Sequence, residues 1–215
     1  MKLGRIRLSV ISLGVSVLAL TVSNSALANP IDQYVAPSIL SPRTDCSLPM
    51  STQSLLPWGD YDSYFLAKGG SFEGDSASDW YLANGAEVTD EVKQRNGPLD
   101  GVLEIPSGGW AVSPVICVTV DCPHARIFAH SVTGGDDVDF GLSYYRDGAW
   151  TRFTQTGNVT TRDSGLSRNW DLSGKLDIWP EKRDGFQQVR FAFYGGGHDK
   201  TFQLDDFWVD PRASR

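Results

Sequence analysis

Residues 138–155 read VDFGLSYYRDGAWTRFTQ, the clearest strand-turn-strand pattern in the chain. Apolar side chains occupy every second position from Val138 to Tyr144, with polar or small residues between them, which is the period of a half-buried β-strand. The Arg-Asp-Gly sequence at 146–148 supplies turn residues, and residues 150–155 follow as a second strand. The stretch therefore predicts an antiparallel β-hairpin.

The same kind of pattern recurs on both sides of this hairpin. Gly, Asn, Pro and Asp clusters separate the apolar runs, and long helical periodicity is absent. Eight or more short strands in one domain predict an all-β fold, a two-sheet antiparallel β-sandwich of the jelly-roll type. The further runs are 102–105, 110–120, 125–132, 189–193 and 201–210.

The last of these runs changes phase in its middle. In FQLDDFWV, residues 202–209, the apolar side chains stand on one parity before the two aspartates and on the other parity after them. A β-bulge at Asp205 and Asp206 resets the phase and turns one carboxylate inward. An inward carboxylate needs a cationic partner, either an Arg or Lys side chain or a hard cation such as calcium.

The first 28 residues have the three parts of a secretory signal peptide. Three basic residues precede an uncharged, apolar run from residue 8 to 22, which is short for a stable membrane span. Ala26-Leu27-Ala28 presents the small residues that a signal peptidase accepts. We therefore expect cleavage after Ala28 and a protein that is secreted, extracellular or in the cell envelope, with no membrane attachment after cleavage.

Cleavage there leaves an acidic chain. It removes three basic residues, so 16 basic and 26 acidic residues remain, a formal net charge of −10. Such a chain is repelled by phosphate backbones, which argues against nucleic acid as a partner. Residues 29–57 are rich in Pro, Ser and Thr and predict an extended lead-in, and residues 58–215 predict one sandwich domain.

Three cysteines remain in the mature chain, an odd number in a compartment where disulfides persist. Cys46 lies in the lead-in and Cys117 in a predicted strand, so a bond between them would fasten the lead-in to the domain. We expect this pair. The alternative is Cys117 with Cys122, which would close a tight loop.

Two short motifs resemble a known fold family. KGGSFEG at 68–74, followed by Asp79-Trp80, resembles the opening strand of galactose-binding-like jelly rolls, the fold of many carbohydrate-binding modules. LDDFWVDP at 204–211 resembles their closing strand. The likeness covers roughly residues 60–211. The layout is also similar to that of a group of exported actinobacterial proteins.

The resemblance implies a structural Ca²⁺ site. In such modules the glutamate of the opening motif and an aspartate of the closing motif commonly hold calcium. Carried over by position, this nominates Glu73 with Asp205 or Asp206, and the backbone carbonyls around Gly70 and Ser71. The alternative is that these are hydrogen-bonded turn and bulge residues without a metal.

Sugar recognition requires flat aromatic faces for the apolar side of a pyranose ring. Of the seven tryptophans, Trp80, Trp110 and Trp208 lie inside predicted strands, where we expect them in the core. Trp150 and Trp170 lie near turns. These two are therefore the better candidates for a binding face.

Polar side chains beside these aromatics complete the predicted ligand site. Tyr145 lies on the polar parity of its strand, and Arg168 and Asn169 precede Trp170. The sequence contains no G-x-S-x-G, H-E-x-x-H, P-loop or dinucleotide motif, so we expect no enzyme, with a glycan-active hydrolase as the alternative. Two functions remain: binding of a glycan or polysaccharide, or a structural role with an extracellular protein as partner.

Overall fold

The computed structural model describes residues 31, 34, 41–90, 101–121, 123–133, 137–161, 170–180 and 185–212. Within these parts the chain forms short 3₁₀ helices at Leu56–Trp58 and Gly74–Asp79, and fourteen strands. The strands are β1 (Phe65–Leu66), β2 (Tyr81–Ala83), β3 (Glu87–Thr89), β4 (Val102–Pro106), β5 (Trp110–Val112), β6 (Ile116–Thr119), β7 (His124–Ser131), β8 (Asp137–Arg146), β9 (Ala149–Trp150), β10 (Thr154–Thr160), β11 (Asp171–Leu172), β12 (Leu176–Asp177), β13 (Phe186–Tyr194) and β14 (Thr201–Asp210).

The strands form two antiparallel sheets. The first sheet has the order β11-β7-β14-β4-β3, with β1 paired to β14 and β12 paired to β7. The second has the order β10-β8-β13-β5-β2, with β6 paired to β13 and β9 paired to β8. The two sheets pack face to face, so the predicted all-β, two-sheet antiparallel sandwich is confirmed.

The hairpin that the sequence predicts is present. β8 turns through Asp147 and Gly148, whose φ angles of 50° and 82° are the positive values that a type I′ turn requires. The chain returns as β9, in which Trp150 lies opposite Tyr145. Beyond it, β10 pairs with β8 from Thr154 onward.

The main core lies between the sheets and is rich in aromatic rings. Phe207 of the first sheet packs edge-on against Phe191 and Phe193 of the second, with ring centroids 4.9 and 5.5 Å apart. Trp80 joins them as expected, with its ring centroid 5.9 Å from that of Phe207. Edge-to-face contacts of this kind add to the stabilisation that burial alone provides.

The predicted β-bulge is also present. The register of β14 against β7 shifts between Asp205 and Trp208, and Asp206 has a φ of 48°. After the bulge, the Phe207 amide donates to the Gly70 carbonyl at 2.8 Å. A Cβ at Gly70 would lie 3.1 Å from the Phe207 carbonyl oxygen, so a larger residue would require the two segments to move apart by a few tenths of an ångström. The bulge turns apolar residues from both halves of the strand into the core.

The lead-in is fastened across the outer face of the second sheet. Cys46 and Cys117 form the expected disulfide. Arg43 exchanges two backbone hydrogen bonds of 2.8 Å with the Gln188 side-chain amide. Further back, Ile31 is fully buried on the same face. We call Ile31, Tyr34 and residues 41–46 the strap.

The predicted signal peptide, residues 1–28, and Cys122 lie outside the described residues. Export and the boundaries of the lead-in therefore stay predictions. Within the described part of the chain, no helix has the length and apolar character needed to span a bilayer.

Candidate functional site

Two rows of side chains run across the strands on the outer face of the second sheet. Each row follows the pairing register, and every member points away from the core because alternate residues of a strand face opposite sides. We call this surface, together with Tyr145, Trp150 and Arg190, the aromatic face. The first row is Asn158, Asp139, Tyr194, Trp110 and Ala83, and the second is Gln155, Gly141, Ala192, Val112 and Tyr81.

Trp110 is the most buried aromatic ring of the first row. Its indole packs against Tyr194, with ring centroids 4.8 Å apart, and the strap residue Tyr34 covers it from outside. Trp110 is therefore buried in a cluster separate from the core between the sheets. The expectation that Trp110 lies in the core is confirmed by its burial. The expectation for Trp208 is wrong, since Trp208 is half-buried and packs on the outer face of the first sheet.

Tyr145 and Trp150, two of the predicted ligand residues, lie side by side at one end of the aromatic face. Their ring centroids are 5.3 Å apart, and both side chains are half-buried. The Arg190 guanidinium lies 3.7 Å from the Trp150 ring centroid, a cation–π contact. Burial lowers the pKa of Arg190 to about 10, so it remains charged at neutral pH. These contacts fix the orientation of the indole.

Planar polar groups lie at the outer edge of the same face. The Gln155 side-chain amide donates to Asp139 Oδ1 at 2.7 Å and to Asn158 Oδ1 at 2.9 Å. Asn158 Nδ2 in turn donates to Asp137 Oδ2 at 3.3 Å. Four side chains of β8 and β10 are thus held in one hydrogen-bonded network.

Trp170 lies on the other side of the molecule. It packs on the outer face of the first sheet, with its ring centroid 5.7 Å from that of His130. The structure therefore does not bring Trp170 together with Trp150. Arg168 and Asn169 lie outside the described residues, and the ligand-binding role of all three stays a prediction.

Asp205 and Asp206 form the bulge, and the opening motif reaches it through the hydrogen bond from the Phe207 amide to the Gly70 carbonyl. Asp205 is 1% exposed and lies opposite Phe128, which packs on the outer face of the first sheet, and its Oδ1 accepts the Asp206 amide at 2.7 Å. Glu73 is exposed and its Oε2 accepts the Gly101 amide at 3.4 Å. Asp206 and Ser71 are half-buried. The predicted bulge is thus present and one of its carboxylates is buried, but the pairing with Phe128 directs Asp205 to the outer face and not into the core. The role of these residues as metal ligands stays a prediction.

A second polar cluster, which the sequence did not reveal, lies in the first sheet, where β7 begins and β14 ends. His124 begins β7 and Asp210 ends β14, and the two are cross-strand partners. Asp62, in the segment before β1, reaches them, so that one ligand atom from each of the three residues lies within 4.8 Å of the others. The three positions are far apart in sequence, and no spacing motif links them.

A buried tyrosine connects this cluster to an ion pair. The Tyr64 hydroxyl lies 2.8 Å from Asp60 Oδ2 and 2.7 Å from His124 Nε2. Arg126 Nη1 donates to Asp60 Oδ2 at 2.6 Å. Burial alone would raise the pKa of Asp60, but hydrogen bonds, from Tyr64 first, and the Arg126 charge outweigh it and lower this pKa.

The environment keeps His124 neutral and disfavours the charge on Asp210. Burial, and then the positive charge of Lys175, lower the pKa of His124. Burial also raises the pKa of Asp210, which is 4% exposed. The Lys175 ammonium forms an ion pair with Asp62. The cluster therefore contains a neutral imidazole between two carboxylates.

Comparison with known proteins bears on the fold. No protein-family model and no curated protein matches the chain. Among solved structures, it resembles the CBM22-1 xylan-binding domain of Paenibacillus barcinonensis Xyn10C, at 14% identity over 67% of this chain and 94% of that domain, with a TM-score of 0.46. It also resembles TmCBM61 in complex with β-1,4-galactotriose, at 14% identity over 68% and 98% of the two chains, with a TM-score of 0.43.

A third similar structure is an enzyme, the arabinose-bound MgGH51 α-L-arabinofuranosidase. It is 16% identical over 68% of this chain, with a TM-score of 0.46, and the match spans 26% of the enzyme's length. The solved structures that this sandwich resembles thus include carbohydrate-binding modules. The named structures do not test the likeness to exported actinobacterial proteins, which stays a prediction.

Proposed function

We propose that this chain is an exported, non-catalytic domain that recognises carbohydrate with the aromatic face of its second sheet. The observation that carries the proposal is that aromatic side chains and planar hydrogen-bonding groups lie on the same outer face of the second sheet, with Tyr194 directly beside Asp139. A pyranose presents an apolar C–H side and a rim of hydroxyls, and this surface offers partners for both.

Trp150 and Tyr145 supply the aromatic part of this surface. Both belong to the β8–β9 hairpin and both remain partly exposed, so a ring of the ligand can reach them. The contact of Trp150 with the Arg190 guanidinium holds the indole in place before binding. Little side-chain entropy is then lost when a sugar stacks on it.

Asp139, Gln155 and Asn158 supply the polar part. Their mutual hydrogen bonds orient two amides and a carboxylate, which are the group types that bind sugar hydroxyls. Asp139 lies beside Tyr194 in the cross-strand row, so a sugar in contact with one would also reach the other. The polar network therefore gives the face its specificity for hydroxyl positions.

The strap shapes the part of the face that is open. Gly141 and Ala192 form a floor without large side chains, and a Cβ at Gly141 would lie 2.7 Å from Ile31 Cδ1. Tyr34 covers Trp110 beside this floor. The open surface therefore lies toward Trp150 and Gln155.

The proposal includes a structural Ca²⁺ bound near the bulge. Asp205 is buried at the bulge, and the Glu73 carboxylate accepts the Gly101 amide; we infer that these two carboxylates bind the ion. Calcium there would stabilise the sandwich without contacting the sugar.

Binding to insoluble polysaccharides and to a glycan array, with and without Ca²⁺, tests the function. We expect saturable binding of the exported chain and a loss of about tenfold or more in Trp150→Ala. Trp179→Ala is the matched control, because Trp179 is 66% exposed and lies outside the aromatic face. Absence of binding in both formats contradicts the proposal and favours a structural role with an extracellular protein partner.

A further inference from the structure

We propose that Asp62, His124 and Asp210 form a binding site for a divalent transition-metal ion of the Zn²⁺ class. The ion would join the segment before β1 to the paired ends of β7 and β14. The site is separate from the aromatic face and from the predicted calcium ligands, so it does not depend on the proposed function.

The distances suit a shared ion. One ligand atom of each residue lies within 4.8 Å of the other two, and His124 Nε2 is 3.2 Å from Asp62 Oδ2. Two ligands of a tetrahedral ion with bonds of about 2.0–2.2 Å lie roughly 3.3–3.6 Å apart. The His124–Asp62 pair is therefore already near the separation that coordination needs, and the third ligand atom lies within 4.8 Å of both.

The elements that carry the ligands are held in place. His124 and Asp210 face each other across the antiparallel β7–β14 ladder, where neighbouring side chains lie on one face. Asp62 is positioned by its own amide, which donates to Asp60 Oδ1 at 3.1 Å. A preorganised set of this kind binds metal without first ordering a loop.

The donor types select the metal. One imidazole nitrogen and two carboxylate oxygens match Zn²⁺ and related transition ions, whereas Ca²⁺ prefers an all-oxygen shell. A divalent ion would in addition offset the two neighbouring carboxylate charges of Asp62 and Asp210.

A cleft gives access to the cluster, and a lysine side chain already forms an ion pair with one of its carboxylates. A cleft of about 610 Å³ leads to the cluster and is lined by Asp62, Asp210 and Arg212 among others. The Lys175 ammonium pairs with Asp62, and it is the positive charge that the ion would displace. The Lys175 side chain is 48% exposed, so it can turn into water at small cost. When the ion binds, the Tyr64 hydroxyl would lose its hydrogen bond with His124 Nε2 and keep its hydrogen bond with Asp60 Oδ2.

Titration calorimetry of the chelator-treated, tag-free full chain with ZnCl₂ and, separately, CaCl₂ tests the site. We expect one Zn²⁺ per chain with a Kd of about 10 µM or tighter. Any heat from CaCl₂ should be the same in the wild type and in Asp62→Asn. Asp62→Asn and Asp210→Asn should each weaken Zn²⁺ binding about tenfold or more, and Lys175→Ala should tighten it about threefold or more. Zn²⁺ at about 100-fold above Kd should raise the Tm by roughly 5–10 °C.

His198→Ala is the control for adventitious binding, since His198 is exposed and distant from the cluster. Far-UV circular dichroism without metal checks that each variant is folded. If a carboxylate variant does not fold, Lys175→Ala still tests the site, because it leaves all three ligands in place. The proposal is overturned if Zn²⁺ does not bind, if binding is lost in His198→Ala, or if Lys175→Ala leaves the affinity unchanged.

Discussion

The phenol ring of Tyr34 stacks on the indole of Trp110, with ring centroids 4.2 Å apart and ring planes inclined by 18°. Tyr34 also approaches Tyr81 and Phe153, with centroid distances of 6.4 and 5.9 Å. A flat ring on an indole face is the contact that a pyranose makes with tryptophan. A residue of the strap thus occupies one aromatic position of the proposed binding face.

Tyr34→Ala should both destabilise the domain and open the face. Loss of the stacked ring should lower the free energy of unfolding by about 1–3 kcal/mol, measured by urea denaturation. The same variant should bind the glycan that the wild type binds at least as tightly, because Trp110 becomes accessible. Tyr61→Ala, at a side chain that is 72% exposed, is the control. Equal stability of Tyr34→Ala and wild type would show that the strap does not pack on the face.

The disulfide should contribute substantially to stability. Cys46 and Cys117 close a loop with a sequence separation of 71 residues, and a cross-link of that span is worth about 2–5 kcal/mol. We expect the double variant Cys46→Ala, Cys117→Ala to lose this amount in urea denaturation under oxidising conditions. The double variant is needed because a single change would leave Cys117 able to pair with Cys122. A loss below about 0.5 kcal/mol would contradict the expectation.

Calcium removal tests the ligands near the bulge. A chelator should lower the Tm of the chain, and Glu73→Ala should abolish that dependence, because ligand binding to the folded state alone stabilises it. Glu87→Ala is the matched control, since Glu87 is exposed on β3. The same Tm with and without chelator in the wild type would remove the calcium hypothesis.

His124 should make the domain less stable in mild acid. Its pKa is below the ordinary 6.5 when folded, chiefly through burial, so the unfolded chain binds the proton first as pH falls. Stability from this group is therefore complete above about pH 6.5 and decreases as the pH falls below it. The charged groups around His124 are Asp60, Asp62, Lys175 and Asp210. Asp210 acts in the opposite sense, because its raised pKa favours proton uptake by the folded chain.

The check is the Tm at about pH 7.5 and about pH 5.5 in wild type and in His124→Gln. The wild type should lose more stability than the variant over this interval. His130 is also buried, and comparison with the variant removes its contribution. A variant that loses as much stability as the wild type would show that His124 is not the group responsible.

Alternation along the strands carried most of the fold prediction. The β8–β9 hairpin, the bulge at Asp205 and the sandwich class follow from local pattern and turn chemistry, because these depend on neighbours in sequence. The disulfide partner of Cys117 was also foreseen. Local pattern does not reveal which of the two sheets a strand joins, since that depends on long-range pairing.

The same limit explains what was missed in the sites. Tyr194 stands on the parity opposite to the core residues of β13, and this alternation was the available sign of an outward aromatic. Local pattern does not show that Trp110 is buried on the outer face of its sheet, because that burial depends on the strap, a contact made by distant residues. The β7–β14 pairing brings His124 and Asp210 together, and the segment before β1 adds Asp62.

Carbohydrate binding by the aromatic face is tested by comparing Trp150→Ala with Trp170→Ala in titration calorimetry, with the glycan from the array that binds the wild type most tightly. The two tryptophans were equal candidates by sequence, and the structure places them on opposite outer faces. We expect at least about a tenfold loss of affinity for Trp150→Ala and less than about a twofold change for Trp170→Ala. Loss of affinity in Trp170→Ala with wild-type binding by Trp150→Ala would contradict glycan binding by the aromatic face.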